Sequence, residues 1–312
     1  MFKEYLPQPT GYPHAHCASL IFFKDTLYCV WYVYQKEEFL DAKLCISSFN
    51  LSLKRWTQPR LLLDRPGRSQ GNPLFFIFNN ELYLLFVFLE GHYWNSARMH
   101  VSKCEPELAK VSEPLKTNQA QGMMIRHRPW VNGEDVILPA YDEEKKQTVL
   151  LKGTPPFIDW QPISTLDPGP IQGDIISVGK KEAMIILRST DNERKIIRAH
   201  SADSCRSFPF VYSTPLHCPL SGVAAHMDPS GALFVAHNNT DLHKRSPLSL
   251  SISKDGLKSI YKSIDIEFGD GEFSYPDLIS DSKGNLHLVY TNDRDKIGHY
   301  FLFKEDVQEL MI

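Results

Sequence analysis

The chain has 312 residues, 42% hydrophobic and 12% aromatic, and its 34 basic and 37 acidic residues leave a net charge of −3. This is enough apolar material for a large core within one all-β unit. The near-neutral balance excludes an electrostatic footprint for nucleic acid, and no run of 18 apolar residues offers a transmembrane segment.

The opening segment, MFKEYLPQPTGYPHAHC, has no apolar stretch after a basic start. No secretory signal is read there, and a cytoplasmic location is the default expectation. Short apolar runs then follow in series: CASLIFF, LYCVWYVY, LFFIFNNELYLLFVF, VILPAY, EAMIILRS, ALFVAHN and NLHLVYT. Polar turns such as KD, NN, NGED, GKKE, DPSG and DSKGN separate them, which is the pattern of short strands joined by hairpins. Helical periodicity is nearly absent, and only the tail KEDVQEL suggests a terminal turn. The cysteines, Cys17, Cys29, Cys45, Cys104, Cys205 and Cys218, form no CxxC pair, so neither a zinc site nor any other metal is expected. Buried reduced thiols are the expectation for a chain without a signal.

A repeat underlies the strands. SADSCRSF (201–208) and SKDGLKSI (253–260) share Ser, any residue, Asp, and an apolar residue five positions after the Asp. GTPPFIDW (153–160) ends on a tryptophan in the same register, SFNLSLKRW (48–56) fits with one inserted residue, and SKCEPELAKV fits loosely. The anchors Trp56, Val111, Trp160, Phe208 and Ile260 are spaced by 55, 49, 48 and 52 residues. A period near 50 with about four strands per unit marks a β-propeller blade. One blade cannot bury both faces, whereas blades packed radially can. Five units are visible. A sixth follows if the N-terminal strand joins the C-terminal strands and closes the ring, which makes residues 1–312 one six-bladed propeller of four-stranded antiparallel blades.

The Ser-x-Asp turn with its later aromatic resembles the Asp-box of the sialidase superfamily. GNPLFF, RSTDNERKI, KRSPLSLSISKDG and FSYPDLISDSKGNLHLVYTNDRDKIGHYFL resemble its divergent sialidase-like, BNR-repeat branch. The likeness runs from His14 to about Phe303 and is strongest in the last 70 residues. It implies an exo-glycosidase that releases a terminal keto-sugar acid, sialic acid or Kdo, from a glycoconjugate, with no cofactor. Such enzymes use a tyrosine nucleophile. The carboxylate on the substrate's anomeric carbon would repel an approaching Asp or Glu, and a neutral phenol avoids that repulsion. Arginines grip the sugar carboxylate.

Carried over residue by residue, the resemblance makes Tyr275, in GEFSYPDL, the nucleophile. Arg245 and Arg188 are the carboxylate-binding arginines, with Arg294 a further candidate. Where the family has its first arginine this chain has His14 and His16, which face the same side of a strand. Where the family has the glutamate that activates the tyrosine, this chain has Gln172, and an amide is no base. Asp174 or Glu272 then takes that role, or the mechanism differs. Glu272 can serve Tyr275 only if the strand bends at 274–276, because odd spacing sets the two on opposite faces. Glu37 and Asp41 are the candidate general acids. Asn72, Glu143 and Arg128 are further binding candidates. Two other functions fit the same scaffold: a non-catalytic carbohydrate-binding propeller, and a polysaccharide lyase or neutral-sugar hydrolase whose chemistry is His16 and Tyr275. The sequence neither requires nor excludes a partner subunit.

Overall fold

The computed structural model describes residues 1–36, 41–105, 108–167 and 169–312. Six antiparallel sheets form the blades of a propeller. Each begins with an inner strand and proceeds outward. The inner strands are His14–Phe23, Ser69–Phe78, the pair Met123–Met124 and Trp130–Asn132, Ile171–Ser177, Ala224–Met227 and Phe273–Ser280. Two sheets carry five strands rather than four. In the first blade the outer strand is broken into Arg55–Trp56 and Arg60–Leu63. In the third, the inner strand is interrupted by residues 125–129.

The sixth blade is completed by the other end of the chain. Phe2–Tyr5 pairs antiparallel with Lys296–Leu302, Phe2 opposite Phe301 and Tyr5 opposite Gly298. The C-terminal residues Lys304–Met311 form a short helix after that strand.

The core is divided among the seams. The hydrophobic clusters draw their buried residues from neighbouring blades. One joins Val30, Tyr32 and Leu44 to Phe75, Leu84 and Phe86 across the first seam, and another joins Trp31, Val33 and Trp56 to Val289 and Ile297 where the ring closes. That arrangement buries both faces of a sheet that could not bury them alone.

The repeat anchors sit under these seams. Trp56 and Trp160 are buried, with Trp56 Nε1 donating to His299 Nδ1 (3.1 Å) and Trp160 Nε1 to the Phe157 carbonyl (2.7 Å). The two Ser-x-Asp turns are built alike. Asp203 accepts from Ser201 Oγ (2.8 Å) and from the Arg206 and Ser207 amides (3.0 and 2.9 Å). Asp255 accepts from Ser253 Oγ (2.9 Å) and from the Lys258 and Ser259 amides (3.1 and 3.0 Å). These donors, led by the Ser207 hydroxyl and by the Ser259 amide, draw each carboxyl down to about 2. All six cysteines are buried free thiols.

Four inner strands contain a β-bulge at the same place. The register slips between His16 and Ser19, Gly71 and Leu74, Ile171 and Asp174, and Ser274 and Asp277. Each slip puts two residues opposite one, and the first of the two is left-handed: Cys17 (φ 57), Asn72 (φ 45), Gln172 (φ 54) and Tyr275 (φ 52). A bulge removes backbone groups from the ladder, and buried ones need another partner. The third blade supplies it. Arg126, 2% exposed, donates to the carbonyls of Ala18 (3.3 Å), Tyr275 (2.8 Å) and Pro276 (2.6 Å). Arg128 donates to the Leu20 and Leu278 carbonyls (2.6 and 3.2 Å) and to Asp277 Oδ2 (2.8 Å). One segment thus fastens the first and sixth blades from across the ring.

Two acids at equivalent positions stitch neighbouring inner strands. Asp277 Oδ2 accepts the Leu20 amide (2.6 Å), and Asp174 Oδ2 accepts the Ala225 amide (2.8 Å) and faces His127 Nδ1 at 3.5 Å. Burial pushes the Asp174 carboxyl up to about 7, against the pull of the Ala225 amide and Arg128.

Two predictions follow from closure and from this buried acid. Deleting residues 1–5 uncovers the edge of Lys296–Leu302, so the shortened protein is expected to melt at lower temperature and to associate through the bared edge; thermal unfolding with light scattering reads both. Asp174 holds a proton in the folded state from its unfolded pKa of 3.8 up to about 7. Its protonation therefore contributes stability below pH 3.8 that is lost as pH rises through 7. Urea unfolding of Asp174→Asn should show a variant more stable than the native chain by roughly 2 kcal/mol at pH 8, with the difference shrinking toward pH 4.

Candidate functional site

The bulges decide what reaches the centre of the ring. A polar hollow there is lined by His16, Tyr32, Asn72, Trp94, Met124, Tyr141, Glu143, Tyr275 and Arg294. Of these, Asn72 and Tyr275 are the left-handed bulge residues themselves. A non-glycine residue held in this conformation is strained by ~1–3 kcal/mol, and such strain gathers at functional sites. Gly71, just before Asn72, has a specific reason: a Cβ there would lie 2.9 Å from Trp94 Cζ3, so only glycine lets the indole rest on this bulge.

Tyr275 is half-buried at the start of the sixth blade. Its ring meets that of His16 edge-on at 4.6 Å, and the guanidinium groups of Arg245 and Arg126 lie 5.5 and 5.6 Å from its centroid. His16 also stands edge-on to Tyr32 at 5.5 Å. The His16 ring is buried, and its Nδ1 has no hydrogen-bond partner among the described residues. Burial, with Arg294, Arg245 and Arg126 adding, holds His16 well below its usual pKa and so neutral. Burial, with Tyr275 among its neighbours, likewise raises the phenols of Tyr32 and Tyr141, which stay protonated and able to donate.

Glu272 organises the cations. Its Oε1 accepts from Arg245 Nη1 (2.8 Å) and Ser274 Oγ (3.0 Å) and faces Arg294 Nε at 3.4 Å. Burial acts to raise this carboxyl, but the two arginines and the serine outweigh it and hold it below the usual range. The strand does bend at 274–276, as Tyr275's service by Glu272 would require, yet Glu272 Oε1 is engaged by these three donors.

Gln172 stands beside the hollow. Its Nε2 donates to the Tyr141 hydroxyl (3.2 Å), and its buried Oε1 has no hydrogen-bond partner among the described residues. A Cβ on Gly222 would fall 3.4 Å from that oxygen and 3.6 Å from Tyr275 Cδ1, so Gly222 lies between the amide and the phenol.

The other expected residues are distributed as follows. Asn72 Nδ2 donates to the Ile125 carbonyl (2.8 Å) at the wall of the hollow, and Glu143 lies exposed at its rim. His14 stacks on Tyr34 and bonds Asp295 through Nδ1 (2.8 Å). Arg128 and Asp174 are not among the lining residues and are engaged in the inter-blade bonds described above. Arg188 is opposite Ile171 on its own blade, and its buried Nε has no hydrogen-bond partner among the described residues. Asp41 is in contact with the Gln35 amide at 3.5 Å, and Glu37 falls outside the described residues. Sequence reasoning missed Tyr32, Trp94, Met124, Tyr141 and Arg126. The proximity of Tyr141 to Glu143 in LPAYDEE was the one available signal; Tyr32, Trp94 and Met124 read as core, and Arg126 as an ordinary charged residue.

Chemically, two arginines beside a phenol suit a bound carboxylate. A neutral imidazole and protonated phenols suit hydroxyls. Among the described residues, no group of three or more His, Cys, Asp or Glu side chains is disposed to hold a metal.

A family model described as the BNR repeat-like domain matches residues 25–288. A comparison with curated protein sequences finds no match. Among solved structures, the NanB sialidase from Streptococcus pneumoniae has a TM-score of 0.80 and 9% identity, with 97% of this chain and 70% of that chain covered. The intramolecular trans-sialidase from Ruminococcus gnavus has a TM-score of 0.77 and 11% identity, covering 99% and 98%. The Hadza microbial sialidase Hz136 has a TM-score of 0.78 and 12% identity, and the match takes in 95% of this chain and 66% of that one. At these identities the likeness is one of fold. With the family model spanning most of the chain, the protein belongs to the BNR repeat-like domain family, and its six-bladed propeller is the fold it shares with these sialidases.

Proposed function

We propose that the protein is an exo-acting glycoside hydrolase that releases a terminal keto-sugar acid, sialic acid or Kdo, from a glycoconjugate. The observation that carries this reading is Tyr275, set at the central hollow with the guanidinium groups of Arg245 and Arg126 against its ring and Arg294 on the same wall. The fold-level likeness to proteins named as sialidases supports it.

Arg245 and Arg294 hold the sugar carboxylate. Two guanidinium groups sharing the single charge of Glu272 keep a net positive charge and spare N–H donors, and Glu272 fixes their orientation. Ring hydroxyls meet the unpartnered His16 Nδ1 and the phenols of Tyr32 and Tyr141. Tyr275 attacks the anomeric carbon, and an acid that follows Thr26–Tyr34 in sequence, Asp41 or Glu37, protonates the leaving oxygen. With an amide at position 172, the phenolic proton passes to water in the open hollow. The charges of Arg126 and Arg245 favour the anion that develops on the phenol oxygen.

Gln172 favours one second reading, a propeller that binds the acidic sugar without cleaving it. The test is a set of aryl glycosides of sialic acid and of Kdo. Native protein should release the aglycone, and Tyr275→Phe should lower kcat roughly a thousandfold. Arg294→Gln should weaken binding of the free sugar acid about tenfold or more, as expected for loss of a charged hydrogen bond. Sugar binding in calorimetry with no aglycone released would leave the binding reading in place of the hydrolase.

A further inference from the structure

The central hollow does not stand alone. A second hollow adjoins it, and Trp94, Met124 and Glu143 line both. Beyond that shared sill it is walled by Tyr93, Asn95 and Glu144. The two adjoin across that sill, the second lying on residues of the second and third blades.

The two ends of this pair of hollows differ in charge. The inner end carries Arg245 and Arg294 paired with Glu272, and Glu143 stands on the sill between the two ends. At the outer end Asp142 is neutralised by Lys145 (2.9 Å). Glu143 and Glu144 are exposed and make no ion pair among the described residues, and Glu144 Oε1 accepts only a neutral amide, Asn95 Nδ2, at 2.8 Å. Beside these carboxylates Tyr93 is 75% exposed and lines the same hollow. An open aromatic face next to uncompensated carboxylates attracts a cation twice over, through the ring quadrupole and through charge. The same carboxylates repel an anion.

We propose that this second hollow receives the leaving-group side of the substrate and selects a cationic aglycone, such as one bearing an amino sugar, over an anionic one. The inference rests on the hydrolase reading and extends it from the sugar that is released to the group it is released from. A substrate acidic at one end and basic at the other matches the polarity of the pair.

Two measurements test it. The first needs no turnover: calorimetry with benzyltrimethylammonium and with phenylacetate, two aryl probes of opposite charge, each titrated with the arginine site already saturated by the free sugar acid. The cation should bind at least about tenfold more tightly, and Tyr93→Ala and Glu144→Gln should each weaken it several-fold. Both side chains are exposed, so neither change threatens folding. The second compares aryl glycosides of the acidic sugar whose aryl ring is unsubstituted, carries trimethylammonium, or carries carboxylate. The kcat/KM should be highest for the cation and lowest for the anion, by roughly tenfold, and Glu144→Gln should narrow that ratio. Equal binding of the two probes, or turnover with no charge preference, overturns the inference while leaving the hydrolase standing. Absence of turnover for every glycoside overturns the hydrolase and the leaving-group assignment together.

Discussion

The hydrogen bonds from Arg126 to the carbonyls of Ala18, Tyr275 and Pro276 are the constraint on which the centre of this protein depends. Four inner strands are bulged, and a bulge leaves backbone oxygens without a ladder partner in a place where water is scarce. A buried guanidinium with five donors can satisfy several of them at once. Coming from the third blade, it ties the first blade to the sixth, the two that the ring must bring together last. Arg128 repeats the arrangement one step further along the strands, with Asp277 to balance its charge. Electrostatics and backbone satisfaction are here the same interaction.

The bulges and their clamp also make the site. Each extra residue flips the side-chain alternation, so that a left-handed residue points where an ordinary strand would present its neighbour. Tyr275 reaches the hollow for this reason, with its carbonyl held by Arg126 and its ring beneath the same guanidinium. The result is a wall of neutral hydrogen-bonding groups, His16, Tyr32 and Tyr141, facing a pair of arginines organised by Glu272. Among the described residues, Glu272 is the one carboxylate paired with these two arginines.

The propeller was legible because its signals are local and repeated. Trp56 and Trp160 recur at the blade period, the Asp203 and Asp255 turns close on residues within a few positions, and the strand-and-turn alternation survives any substitution that keeps its pattern. The centre was less so. Counting back from the Lys24–Asp25 turn, an unbroken hairpin sets Cys17 opposite Tyr32; the bulge moves His16 there instead and turns the strand face over. No local signal announces that slip, so Tyr32 and Tyr141 passed for core rings. Arg126 read as an ordinary charged residue because its acceptors lie 108 to 150 positions away in sequence. Asp174 looked like a candidate base beside Gln172, and its engagement by the Ala225 amide follows from blade packing that the sequence does not display. By contrast Tyr275 and Arg294 stand in FSYPDLISDSKGNLHLVYTNDRDKIGHYFL and Arg245 in KRSPLSLSISKDG, stretches that resemble the family's, and Glu272 lies three residues from Tyr275 in the chain.

The most direct measurement of the central claim, that Tyr275 is the nucleophile, is mass spectrometry of the native protein after incubation with a fluorinated acidic-sugar fluoride, a substrate that forms a covalent intermediate faster than it is hydrolysed. The account predicts a mass increase of one sugar unit, carried by the peptide that contains Tyr275. An unmodified protein, or a label on any other residue, would contradict it.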